Sequence, residues 1–74
     1  MEIKVGIQHV NREVVVETTE TAAAVERAFA EAIGSEGVFT VTDERGRRVL
    51  IPSSKIAYVD LGEEHARKVG FGSL

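Results

Sequence analysis

The sequence predicts an α+β domain in two layers, of order β-β-α-β-β-β: a five-stranded, mostly antiparallel sheet with one helix on one face. Three observations lead there. Ile3, Val5 and Ile7 alternate with polar residues and glycine at the period of two of a half-buried strand. Val25, Ala28, Phe29, Ala32 and Ile33 recur at steps of three and four, the spacing of a helix stripe. Between Gly46 and Gly62, two apolar runs of strand length flank a single Pro52-Ser53-Ser54-Lys55 turn.

Taken in order, residues 2–8 form the first strand, and Gly6 inside it marks a bulge or a close approach by another group. Residues 12–18 carry Val14, Val15 and Val16, three β-branched side chains in a row, and form the second strand through a hairpin at Val10 and Asn11. Thr21 stands where a helix N-cap belongs, and Gly34 is expected to end the helix as its C′ residue. Residues 38–42 are β-branched or aromatic throughout, and Asp43-Glu44-Arg45-Gly46 turns them into a fourth strand at 47–51. Pro52 has no N–H to donate and ends that strand, after which residues 56–61 make the fifth.

One helix covers one face. With Ile3, Val5, Ile7, Phe39, Val41, Val49 and Ile51 turned toward the helix, Val15, Val38, Leu50, Ala57, Val59 and Leu61 are expected on the other side, more apolar than a solvated face should be. Three covers suit that surplus: curling of the sheet into a partial barrel, a second subunit in a homodimer, or the C-terminal segment folded back. Residues 1–62 thus read as a single domain. Residues 63–74 read as a tail, a short helical turn followed by a docking or flexible segment in which Val69, Phe71 and Leu74 are spaced among glycines.

Composition narrows the function. With 74 residues the chain is one small domain, and with no cysteine it has no disulfide, thiolate nucleophile or cysteine zinc site, which suits a reducing cytoplasm. The net charge of −3 supplies no global field for nucleic acid, and no apolar run reaches the roughly 20 residues of a membrane span. His9 and His65 have no second metal ligand at useful spacing. Ser53, Ser54 and Lys55 are adjacent in a turn, where they do not present a nucleophile and its base to one substrate. No metal, cofactor or catalytic set is expected, and the chain reads as non-enzymatic. The basic cluster is Arg45, Arg47 and Arg48, with Lys55 across the following turn; arginines at a turn hold phosphate oxygens in bidentate fashion, so these four are the candidate anion-binding residues.

The opening Met1-Glu2-Ile3-Lys4-Val5-Gly6-Ile7-Gln8, the segments Gly46-Arg47-Arg48-Val49-Leu50-Ile51-Pro52 and Lys55-Ile56-Ala57-Tyr58-Val59-Asp60-Leu61-Gly62, and the ending Arg67-Lys68-Val69-Gly70-Phe71-Gly72 resemble a family of short actinobacterial proteins, a domain of unknown function. The likeness covers nearly the whole chain and departs from the family at Thr21-Ala22-Ala23-Ala24, which alters a helix cap. Some members carry the automatic label "ATP-binding protein", but the resemblance implies no established activity and no catalytic residues. Neither Gly34-Ser35-Glu36-Gly37 nor Gly70-Phe71-Gly72 has the spacing and the Gly-Lys-Ser/Thr ending of a phosphate-cradling loop. The expected function is therefore a small cytoplasmic binding or adaptor module, meeting a protein partner or a second copy through its apolar sheet face and its tail. The alternative is phosphate, nucleotide or nucleic-acid binding through the Arg45 to Arg48 hairpin.

Overall fold

The structure, a computed structural model, describes residues 1–62. The expectations for the tail, and for Val69, Phe71 and Leu74 in particular, fall outside the described residues. The elements follow the expected order: β1 (Glu2–Ile7), β2 (Glu13–Glu17), α1 (Ala22–Ser35), β3 (Val38–Thr42), β4 (Arg48–Pro52), a single 3₁₀ turn at Ser53–Lys55, and β5 (Ile56–Leu61). All pairings are antiparallel, and the five strands divide between two sheets, β2-β1-β5 and β3-β4. Side chain and turn hold the sheets together at one end: Thr18 Oγ1 donates to the Thr42 carbonyl at 2.7 Å, and the Glu44 N–H donates to the Glu17 carbonyl at 2.8 Å.

The core follows from the two alternations. Ile3 and Val5 of β1, Val16 of β2, Phe39 and Val41 of β3, Ile51 of β4 and Val25 and Ala32 of α1 are buried together, and Ile7 and Val49 pack at their margin. Phe29 of the helix meets Phe39 edge to face at 5.3 Å between ring centres. Both sheets thus turn their apolar faces to one core. The outer face of β2-β1-β5 carries Glu2, Lys4, Glu13, Glu17 and Asp60 around Val15, so the apolar surplus expected there is much smaller than the sequence suggested.

Two expectations, one about a face and one about the helix end, are corrected by the backbone. Val59 and Leu61 pack against the core and not on the far side with Ala57. The register of β1 against β5 shifts between Gly6 and Ile7: Tyr58 stands opposite Gly6 and Ile56 opposite Ile7, which leaves Ala57 as the extra residue of a bulge. A bulge reverses the alternation, so Ile56 on one side of it and Val59 and Leu61 on the other all face inward. The helix likewise does not stop at Gly34. It runs through Ser35, where Glu36 takes the left-handed conformation (φ 57°). The N–H groups of Glu36 and Gly37 then reach the carbonyls of Ile33 at 3.2 Å and Ala32 at 2.8 Å, a Schellman closure that satisfies the last turn. At the other end Thr21 Oγ1 accepts from the Ala24 N–H at 3.1 Å, as expected of the cap. Ile33, placed in the buried stripe by its spacing, is half exposed.

Gly6 is the close approach its position suggested. A Cβ there would stand 2.2 Å from Tyr58 Cε2, because the Tyr58 ring lies across the glycine and its hydroxyl donates to Glu13 on the far strand. Foremost through that hydrogen bond, Glu13 raises the Tyr58 phenol above its ordinary pKa. A raised folded-state value means stabilisation that is full below the unfolded pKa and lost as pH rises through the folded one. Tyr58 is the only tyrosine of the chain, so its ultraviolet titration is unambiguous. Glu13→Gln should lower that titration midpoint, and so should Gly6→Ala by expelling the ring. A midpoint unchanged in both variants would contradict the contact.

Candidate functional site: a groove between two sheet edges

The turn between β3 and β4 is built on one carboxylate. Asp43 is almost fully buried; its Oδ1 accepts from the backbone N–H of Arg45 at 2.9 Å and of Arg47 at 2.8 Å, and its Oδ2 from Arg47 Nε at 2.8 Å. Gly46 closes the turn at φ 88°, a conformation that favours glycine. The side-chain hydrogen bond from Arg47, helped by the two backbone bonds and opposed by desolvation, holds the Asp43 carboxyl below the usual carboxylate range. A lowered folded-state pKa stabilises fully above the unfolded value, and that stabilisation is lost as pH falls through the folded value. Asp43→Asn should therefore melt several degrees lower at neutral pH, with the gap to the parent narrowing under acid conditions. Parallel melting curves at both pH values would rule the linkage out.

This turn closes one end of a groove of about 440 Å³, walled by residues 14–17 of β2 and residues 47–49 of β4. The walls are two strand edges. Met1 and Thr18 exchange both backbone hydrogen bonds, at 2.9 and 3.0 Å, which makes them a hydrogen-bonded pair. Antiparallel pairs alternate, so Val14 and Val16 also bond to β1, and the N–H and C=O of Val15 point outward along the groove. The same argument applies to β4. Asp43 N–H to Arg47 C=O at 2.7 Å and Ser53 N–H to Gly37 C=O at 2.9 Å mark the bonded pairs, which leaves the backbone of Arg48 and Leu50 on the free edge. Pro52 sits on that edge too, where its missing N–H breaks no ladder. Val15 is 54% exposed and Leu50 63% exposed, so apolar surface accompanies the open backbone.

Of the candidate anion-binding residues, the structure gathers Arg45, Arg47 and Arg48 at the groove and leaves Lys55 away from it. Lys55 lies beyond the opposite end of β4, where its carbonyl accepts from the Gln8 N–H at 2.8 Å. Arg47 is engaged by Asp43; the guanidinium groups of Arg45 and Arg48 have no acidic partner among the described residues. Reading the sequence alone missed β2 as part of the site. Its signal was the Val14-Val15-Val16 run, of which one member faces away from the core. Among the described residues no group of three or more His, Asp or Glu side chains is placed to hold a metal ion, and His9 stands in the β1–β2 loop at φ 64°. No helix among them is long and apolar enough to cross a membrane.

Fold and groove together define a small α+β domain of two antiparallel sheets and one helix, with an open slot between sheet edges. The chain belongs to the DUF3107 family, described as a protein of unknown function, whose profile matches residues 1–72. The comparison with curated proteins finds no match.

Proposed function

We propose that this chain is a non-enzymatic cytoplasmic binding module that takes an extended polypeptide segment into the groove as a strand added along the edge of β2. The observation that carries the reading is the outward-facing Val15 backbone, opposed across the groove by the free edge of β4. An unpaired edge is a template for another strand, and natural sheets commonly blunt such edges unless they are used. The commitments of the nearby ionisable groups support a binding role over catalysis: Asp43 serves the turn, Glu17 lies 4.0 Å from the N-terminal ammonium, and Tyr58 is bound to Glu13. Val69, Phe71 and Leu74 belong to the same reading as a second contact, supported by their apolar spacing in the sequence.

The test is an NMR titration of the full chain with a heptapeptide alternating valine and glutamine. Shift changes confined to β2 and β4, with slowed exchange of the Val15 amide, are expected. Changes elsewhere, or none at millimolar peptide, would remove the groove from consideration. One observation favours a second reading, phosphate, nucleotide or nucleic-acid binding by the hairpin: the unengaged guanidinium groups of Arg45 and Arg48. Inorganic phosphate or ATP, added in the same titration, would then shift residues 45–48 and leave Val15 unmoved.

A further inference from the structure

Building on the edge-strand reading, we infer that the groove is filled by the chain's own C-terminal segment, with residues 68–72 lying along β2 as a strand that an outside segment displaces. Charge does not choose the occupant, since Glu17, Asp43 and Glu44 in the lining stand against Arg45, Arg47 and Arg48. Reach, direction and side-chain pattern do. The Gly62 N–H donates to the Glu2 carbonyl at 2.8 Å and Glu2 pairs with Glu17, so Gly62 stands at the end of the groove where Glu17 meets Glu44. Neighbouring strands lie about 4.8 Å apart, so crossing from β5 past β1 and β2 to the groove takes about five extended residues. Residues 68–74 then remain to run along a strand of 5 residues. β2 and β5 both pair antiparallel with β1 and so run the same way. A chain that leaves β5 and turns back along β2 is therefore antiparallel to it.

The segment has the alternation that such a strand needs. With Gly70 opposite Val15, Lys68 falls opposite Glu17 and Gly72 opposite Glu13, while Val69 and Phe71 fall on the other face beside Val16 and Val14. Val14 and Val16, together with Val49, form the apolar lining on the core side, so the two apolar side chains meet apolar surface. This register sets no carboxylate opposite Glu13 or Glu17. A second copy paired through β2 and centred on Val15 would set Glu13 of one copy opposite Glu17 of the other, and like charges directly opposite destabilise a sheet. The family profile supplies an independent observation: it matches through residue 72, so the shared unit takes in Val69 to Gly72 and does not stop at β5. Tethered by a short linker, the segment also stands at an effective concentration of about 1 mM, which an untethered competitor must overcome.

A nitroxide attached to Ser73→Cys, the single cysteine of that variant, reads the position directly. In the isotope-labelled full chain, broadening of amide signals should be strongest at Glu13 and Val14 and weaker at Glu17 and Glu44, the order an antiparallel run requires. A Val69→Glu, Phe71→Glu variant should bind the valine and glutamine heptapeptide about tenfold more tightly than the parent, as removal of a tethered competitor allows. Neither residue belongs to the buried core formed within residues 1–62, so the amide signals of that core should stay in place. Broadening centred away from the groove, or equal heptapeptide affinity in parent and variant, overturns the inference, and the edge-strand reading stands as long as the heptapeptide binds β2. Broadening seen only when spin-labelled chain is mixed with separate isotope-labelled chain gives the groove to the segment of a second copy and overturns it as well. Broadening away from the groove, together with no heptapeptide binding by either chain, ends both.

Discussion

Phe39→Ala should leave the domain largely unfolded at room temperature. Phe39 is completely inaccessible, its ring packs edge to face against Phe29 of the helix at 5.3 Å, and it is among the largest of the fully buried side chains. Removing a buried phenylalanine costs about 3–5 kcal/mol, through lost transfer free energy and the cavity left behind. A domain of 74 residues has about 5 kcal/mol to lose, at the lower end of the usual scale per residue. Nothing in the chain compensates, since it has no disulfide to hold the unfolded state together. Circular dichroism at room temperature would show it, and a cooperative melt near that of the parent would mean that Phe39 is not the packing centre. Phe39→Leu, which keeps most of the volume, should recover a folded protein with a lowered melting point.

Thr18→Val should cost about 1–3 kcal/mol although it preserves shape and leaves no cavity. Thr18 is 2% exposed, and its hydroxyl donates to the Thr42 carbonyl at 2.7 Å while accepting from the Glu20 N–H at 3.1 Å. Valine would strand both groups beside a residue whose own backbone is already bound to Met1. The effect reaches the groove, because Thr18 joins the end of β2 to the end of β3 where the two sheets meet. Denaturant unfolding reads the stability. Faster amide exchange at Thr42 and Glu44, with weaker peptide binding, would read the loosened joint. Thr18→Ser, which keeps the hydroxyl, should sit close to the parent, and a valine variant as stable as the parent would show that the hydroxyl carries no load.

The same joint explains how a slot arises in so small a domain. The chain leaves β2, forms the helix and returns as β3, so the edge of β2 finds no strand beside it from its own neighbours in sequence. The β4 edge approaches from the other sheet, and the Glu17 to Glu44 hydrogen bond pins the two at one end. Asp43 keeps the intervening turn rigid, which fixes where Arg45 and Arg48 stand relative to Val15.

The elements themselves were legible in the amino-acid order because each depends on near neighbours. Alternation at Ile3, Val5 and Ile7, the helix cap at Thr21 and the turn at Asp43 to Gly46 are local signals, and the elements they mark stand within about two residues of where they put them; β4 runs one residue further than expected, with Pro52 paired opposite Val38 as its last residue. The arginine cluster was legible for the same reason, since Arg45, Arg47 and Arg48 are contiguous. The helix end was misplaced by one turn at most, because a tight closure at Glu36 and Gly37 competes with any glycine that precedes it.

What the order of residues could not carry is everything that depends on pairing across the fold. The bulge at Ala57 exists only against Gly6 and Ile7, and it moves Val59 and Leu61 from one face to the other. The partition of five strands into two sheets, the separation of Lys55 from the arginines and the groove itself depend on which edges meet, an outcome of packing among residues far apart in the chain. Local composition therefore determined an α+β domain with these strands, this helix and a cationic turn. Tertiary structure alone decided that a free edge of β2 lies beside that turn, because hydrogen bonding between strands is set by spatial neighbours and not by sequence neighbours.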